Sequence, residues 1–321
     1  MNTSIPSIQI KKGVCQLMAL NRFSVQQWLK TFDTMIFDAD GVLWSSDKPI
    51  PGAPETFNAL RGMGKRALIC TNHSASSRQK LWCKAQGMDL LIAEDEILSS
   101  SGALARYLQE RKFKGKVYIV GGQGIADELT ALGIESLPMD EPPAVGTPMR
   151  QYVEQMHMDS AVGAVAVGID VNFNAFKLAK ACCYLRNPKV LFLATNYDHS
   201  FPVTPERFTP GAGVMVSAVQ AVVKRPPFTC GKPNTYIVLH LIREGLIKPE
   251  RTLMVGDTLY TDILFGYHCG FQTLLVGTGN SSLKDVAKAR ESKKPLMYQQ
   301  IPDLFIPKLA DLLKFLPSKN G

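Results

Sequence analysis

The sequence predicts an α/β fold: a parallel sheet flanked by helices, with a second α/β domain inserted into the first. Three observations point there. Short apolar runs of strand length alternate with segments of helical period. The alternation occurs at both ends of the chain and again in a long middle region. The first runs at each end finish on acidic or hydroxyl residues, and in open parallel sheets ligands sit beyond the carboxyl ends of the strands.

Taken in order, residues 1–32 hold Lys11, Lys12, Arg22 and Lys30 and no acid. Residues 1–23 are expected to be a flexible, non-targeting tail, a mitochondrial presequence being the alternative. Val25, Trp28, Leu29 and Phe32 fall on one helical face, with Ser24 and Gln27 spaced as a capping box. A strand follows over Thr34–Asp38, then a helix around Glu55–Met63 after a Pro/Gly-marked entry. "RALICTN" is a second strand ending at Thr71–Asn72, and Ser76–Gln86 and Ser101–Arg111 read as helices. In the middle, "KVYIVGG", "AVGAVAVGID" and "KVLFLATN" read as strands. "GIADELTALGI", "NAFKLAKACCYL" and "GVMVSAVQAVV" read as the helices between and after them. Near the C-terminus "RTLMVGD" is a strand ending at Asp257, "TDILFGYHCG" a helix closing on Gly270, and "QTLLVGTG" a strand. Pro307–Leu316 reads as a terminal amphipathic helix. The expected organisation is a core domain of residues 24–113 and 227–321 with an inserted domain of residues 114–226.

Bulk properties narrow the function. The chain has 321 residues, 45% hydrophobic and 20% charged, as in ordinary globular proteins. The net charge of +8 suits an anionic substrate, but no basic block tracks a nucleic-acid backbone. The longest uncharged runs fall short of the ~18 residues of a membrane span. Seven cysteines without a CxxC pair point to reduced thiols in a reducing compartment, so the expected location is cytoplasmic.

Four motifs lie beside predicted strand ends. In "FDADG", Asp38 and Asp40 sit at positions i and i+2, which can point the same way, and Gly41 lets the chain leave the strand sharply. One carboxylate could attack phosphorus while the other handles protons. A plain turn reads equally well from these residues alone. A calcium loop does not, because Pro49 stands where its twelfth-position Glu belongs. "TNHSASSR" offers a hydroxyl and successive N–H groups leading into a helix, either a phosphate cradle or an ordinary cap. Within it His73 could touch substrate or simply lie on the surface. Lys232 in "CGKPN" could balance charge on a transferring phosphoryl group, and Pro233 excludes a Walker A loop. In "VGDTLYTDI", Asp257 could complete a metal site with Asp38. Asp262 could orient a ligand or the lysine, or simply be a first-turn acid. "VGGQGIAD" fails as a dinucleotide fingerprint because Asp127 replaces the third small residue.

The order of these motifs resembles the haloacid dehalogenase superfamily of aspartate-nucleophile phosphatases. "FDADGVLW", "TNHSASSR", "VGIDVNFNAFKLAKA", "LATNYDHSFP", "PGAGVMVSAV" and "GKPN" resemble its phosphoglycolate phosphatase / pyridoxal phosphatase / para-nitrophenyl phosphatase family, from about Ser24 to the C-terminus. The resemblance implies a Rossmann-like core with an α/β cap inserted between the second and third motifs. It also implies a Mg²⁺-dependent phosphatase of small phosphorylated metabolites such as 2-phosphoglycolate or para-nitrophenyl phosphate. Asp38 would be the nucleophile, forming an aspartyl-phosphate, and Asp40 the acid and then the base. Asp38, the Asp40 carbonyl and Asp257 would hold Mg²⁺. Thr71 and Asn72, with His73 beside them, would bind phosphate. Lys232 would stabilise the transition state, and Asp262 would orient these groups from behind. The cap would choose the leaving group, with Thr195–Asp198 and His199 contributing, and would form a homodimer. Three departures from the family pattern bear on substrate preference: His73 for a second Asn, Thr258 for Arg and Tyr260 for Asp. The alternatives are a pyridoxal phosphate or phosphoprotein phosphatase and, from another class, a divergent non-catalytic paralogue that binds a partner.

Overall fold

The structure, a computed structural model, describes residues 14–317 apart from 142, 205 and 293. It divides into two compact units. Of the described residues, one holds those up to Ser45, Pro49–Arg66 and those from Pro249 on; the other holds those of Ser46–Lys48 and Ala67–Lys248.

The first unit is built on five parallel strands in the order Cys15–Gln16, Leu304–Ile306, Gln272–Val276, Thr252–Gly256 and Thr34–Phe37. Thr34–Phe37 is buried throughout, as a parallel strand covered on both faces should be. It pairs Phe37 with Val255, and the Asp38 N–H donates to the Val255 carbonyl at 2.8 Å. This pairing sets the ends of two strands, and therefore Asp38 and Asp257, side by side. The helices Arg22–Leu29, Ala53–Gly62, Leu264–Cys269 and Leu283–Glu291 belong to this unit. The Phe37 and Phe57 rings, 5.2 Å apart, tie the strand to Ala53–Gly62.

Two expectations change here. Order begins before Ser24: Cys15–Gln16 is the edge strand, and the first helix starts at Arg22. Its N-cap is Asn21, whose side chain accepts from the Ser24 N–H at 2.8 Å, in place of a Ser24 capping box. The expected tail over residues 1–13 lies outside the described residues. At the other end, Pro307–Leu316 is no α-helix. Leu304–Ile306 is a strand, and Leu309–Lys314 is a 3₁₀ helix. Leu309, Leu312 and Phe315 are buried at a spacing of three, the period of a 3₁₀ turn.

The second unit holds a parallel sheet ordered Phe228–Thr229, Leu191–Ala194, Val162–Val167 and Lys116–Val120. Its core packs Val165, Val167, Phe192 and Tyr118 against Leu185, Val216 and Val219 from the helices Ala175–Leu185 and Ala212–Val223. This is the α/β alternation read from the middle of the sequence. Its fourth strand, Phe228–Thr229, lies just beyond the expected boundary at residue 226, because its two residues pair with Leu193 and Ala194. In the same unit Cys70 and Thr71 of the Arg66–Thr71 strand pair with Leu98 and Ser99 of Ile97–Ser99, which leads into the helix Ser100–Glu110. An antiparallel hairpin, Ser200–Thr204 with Arg207–Pro210, and the helix Met149–Gln155 were not expected from the sequence. Among the described residues all seven cysteines are free thiols, and no helix is long and apolar enough to cross a membrane.

Candidate active site

In the first unit, carboxylate oxygens of Asp38, Asp257 and Asp262 all lie within 4.8 Å of one another. Asp38 is half-buried; Asp257 and Asp262 are buried. Each position follows from local chain geometry. Asp38 and Asp257 are the first residues past adjacent strands. Asp262 lies in a five-residue π-turn, Leu259–Ile263, that opens the helix Leu264–Cys269. Its Oδ2 accepts from the Asp257 and Thr258 N–H groups, both at 3.1 Å, so the acid folds back and fixes the strand end. A Cβ at Gly256 would lie 2.1 Å from the Asp262 Cβ, so only glycine lets the two segments approach this closely.

Asp257 is braced from two directions. Its Oδ1 accepts from the Thr258 hydroxyl at 3.0 Å. Its Oδ2 accepts from the Asn280 N–H at 2.7 Å and from Asn280 Nδ2 at 3.0 Å. Thr258, one of the departures from the family pattern, is therefore a structural brace, and Asn280 Nδ2 also reaches its hydroxyl at 3.1 Å. Gly279 is required beside it: a Cβ there would fall 1.8 Å from Asp257 Oδ2. Thr278 Oγ1 donates to the Gly41 carbonyl at 2.6 Å, joining this loop to the turn after Asp38. Sequence reading missed Thr278, Gly279 and Asn280. Their signal was the G-T-G-N turn directly after a parallel strand, at the same sheet end as the acids.

Asp40 is exposed on a tight turn in which the Gly41 N–H donates to the Trp44 carbonyl at 2.7 Å. Gly41 adopts φ +83°, the left-handed conformation its glycine permits. Tyr260, a second departure, has an exposed ring. The three clustered carboxylates are hard oxygen donors whose mutual repulsion a divalent cation would relieve, so the donor set fits an oxygen-liganded metal ion.

In the second unit, Thr71 ends its strand buried, and its hydroxyl accepts from the His73 N–H at 3.0 Å. The His73 ring lies 3.2 Å from the Ser76 hydroxyl. Asn72 Nδ2 donates to the Lys232 carbonyl at 3.0 Å and to Asp198 Oδ2 at 3.1 Å. Lys232 is 2% exposed. Asn196 Nδ2 donates to the same Asp198 oxygen at 2.8 Å. Thr195–Asp198 is thus a buried polar network around Asn72, while His199 is exposed.

Elsewhere in this unit, a cavity of about 130 Å³ is lined by Arg78, Arg106, Glu128 and His240 among others. Arg78 is paired with Glu128 at 3.0 Å, and Arg106 contacts the His240 ring. Burial, reinforced by the Arg106 charge, holds the His240 pKa down at about 4.

Comparison with known proteins adds the lineage. Residues 35–135 match the haloacid dehalogenase-like hydrolase family, and residues 229–312 match an HAD-hydrolase-like family. A human glycerol-3-phosphate phosphatase is 37% identical over 299 residues, 91% of this chain and 93% of its own. A chloroplastic phosphoglycolate phosphatase of Arabidopsis thaliana is 38% identical, covering 89% of this chain and 80% of its own. The solved p-nitrophenyl phosphatase of Archaeoglobus fulgidus superposes with a TM-score of 0.72 at 26% identity, covering 88% of this chain and 98% of that one. With paired strand ends presenting Asp38 and Asp257, and relatives matched along nearly its full length, the chain belongs to the haloacid dehalogenase-like hydrolase family.

Proposed function

We propose that this protein hydrolyses small phosphomonoesters through a phosphorylated Asp38. The observation that carries the reading is the gathering of the Asp38 and Asp257 carboxylates, at the ends of adjacent parallel strands, with that of Asp262. An Asp38 carboxylate oxygen attacks phosphorus; the bond from phosphorus to the ester oxygen breaks, and Asp40 gives that oxygen a proton. Water then attacks the aspartyl-phosphate, Asp40 takes its proton, and phosphate leaves with the Asp38 carboxylate restored. Lys232 offsets the charge that develops on the phosphoryl oxygens, and Thr71, Asn72 and His73 bind the phosphate. Asp262 holds the Asp257 strand end in place.

Mg²⁺ is the proposed cation, held by Asp38, the Asp40 backbone carbonyl and Asp257. When bound it neutralises charge that would otherwise repel an anionic substrate. Residues 114–226 form the proposed cap that selects the leaving group, with a homodimer formed through it, in the cytoplasm. The substrate class is a small phosphorylated metabolite, with 2-phosphoglycolate and glycerol 3-phosphate first among candidates because the named relatives act on them.

The test is phosphate release from 2-phosphoglycolate, glycerol 3-phosphate, pyridoxal phosphate, a phosphopeptide and para-nitrophenyl phosphate, with Mg²⁺ and with chelator. The expected result is Mg²⁺-dependent turnover with the highest kcat/KM on a small aliphatic phosphomonoester. Equal release with Asp38→Asn would overturn the nucleophile. A preference for the phosphopeptide would overturn the substrate class.

A further inference from the structure

The role assigned to Lys232 does not explain why the chain around it is built from buried polar side chains. Asn72 is 8% exposed, Asp198 5%, Asn196 1% and Thr195 0%. Burying this much polarity is costly unless each group is paired, so such networks fix position.

The pairing has a direction. The amide end of Asn72 faces two acceptors, the Asp198 carboxylate and the Lys232 carbonyl, so only its NH₂ group can point there and both of its hydrogens are used. Asp198 is itself oriented by Asn196, whose Oδ1 accepts from the Thr195 hydroxyl at 2.7 Å. The segment 195–198 is anchored from behind: the Gly213 N–H donates to the Asp198 carbonyl at 2.9 Å, and a Cβ at Gly211 would fall 2.1 Å from that carbonyl oxygen. On the lysine side, the Cys230 and Gly231 N–H groups donate to the Ala194 and Thr195 carbonyls at 2.9 and 2.7 Å. A Cβ at Gly231 would meet both Asn72 Oδ1 and the Thr195 carbonyl at 2.5 Å. Glycine at 231 is therefore what lets the three segments close on one another.

We infer that Asp198 and Asn72 are positioning residues for Lys232. The buried carboxylate orients the Asn72 amide, and the second hydrogen of that amide holds the main chain from which the lysine projects. The Asn72 side chain then serves the protein, leaving its backbone N–H and Thr71 for phosphate. This inference rests on the reading of Lys232 as the group that stabilises developing charge. A lysine loosened in its loop binds substrate almost as well but meets the transition state poorly, so kcat bears the loss.

The experiment compares the full-length protein with Asp198→Ala, Asp198→Asn, Asn72→Ala and the double variant Asn72→Ala/Asp198→Ala. Steady-state kinetics use para-nitrophenyl phosphate and Mg²⁺, and amide hydrogen exchange is read at Cys230 and Gly231. Asp198→Ala is expected to lower kcat roughly 10- to 100-fold while KM stays within about 3-fold. Asp198→Asn keeps a buried acceptor and should fall between wild type and the alanine variant. The double variant should be little worse than the poorer single one, because the two residues act as a unit. Exchange at Gly231 should accelerate in both Asp198 variants. Unchanged kcat in folded Asp198→Ala, an effect confined to KM, or wild-type exchange at Gly231 would overturn the inference. If the wild type turned over no phosphomonoester, the proposed function would fall, and the exchange measurement would still decide whether the clamp exists.

Discussion

Around Asp257 the chain gathers carboxylates; around Lys232 it gathers amides. In the first region three acids share a space of 4.8 Å, and Asp257 and Asp262 are braced by backbone N–H groups, one hydroxyl and one asparagine. Neutral donors orient an acid without cancelling its charge, which leaves the cluster suited to a cation. In the second region the Asp198 carboxylate accepts from the amides of Asn72 and Asn196, and the chain near it approaches to glycine distance. That arrangement fixes geometry and offers few oxygen ligands. The contrast assigns cation binding to one region and alignment of Lys232 to the other, and it predicts that substitutions in the two will fail in different ways.

The largest effect expected is in the acidic region. Asp257→Asn should abolish measurable Mg²⁺ binding by calorimetry and lower phosphate release by at least ~10³-fold, whereas Asp198→Ala should leave Mg²⁺ affinity unchanged. Equal losses of Mg²⁺ affinity in both variants would erase the distinction. Next comes Gly279→Ala. Its methyl group overlaps Asp257 Oδ2, so the carboxylate must turn away; Mg²⁺ affinity should fall about 100-fold in a protein that still melts cooperatively. Asn280→Ala removes two hydrogen bonds, to Asp257 and Thr258, but keeps the backbone one. A loss of roughly 10-fold in Mg²⁺ affinity is expected, recoverable at high Mg²⁺.

The smallest effect concerns stability. His240 is held neutral in the fold, with its pKa depressed to about 4 from an ordinary 6.5, first by burial and then by Arg106. Its contribution to stability is complete above about pH 6.5 and is lost as pH falls towards 4, since the unfolded chain takes up the proton first. The half-buried ring is partly screened, so the term is on the order of 1 kcal/mol. Thermal melts between pH 7 and pH 4 should show a steeper loss for the wild type than for His240→Gln. Parallel curves would remove the effect.

Much of this was legible before the fold was known, for identifiable reasons. Asp38, Asp257, Thr71 and Lys232 sit next to short apolar runs, and the alternation of strands and helices places such residues at sheet ends. The parallel pairing of Phe37 with Val255 is the contact that this reading requires. What escaped depends on contacts distant in sequence. Asn280 matters because a strand and turn return it to Asp257 from 23 residues away, and nothing local distinguishes it from any loop asparagine. The bond from Asn72 to Asp198 escaped for the same reason, since it spans 126 residues. The terminal segment misled because Leu309, Leu312 and Phe315 fit a 3.6-residue period loosely and a 3-residue period well, and Pro307 breaks the run at its start. The 200–210 hairpin escaped because its strands are short and carry prolines.

Covalent phosphorylation of Asp38 is read by rapid-quench trapping of the Mg²⁺-loaded enzyme with a radiolabelled phosphomonoester, followed by peptide mapping. Hydroxylamine-labile label is expected on the peptide containing Asp38, formed within a turnover and absent in Asp38→Asn. Label on another residue, or full turnover with no label on that peptide, would contradict it.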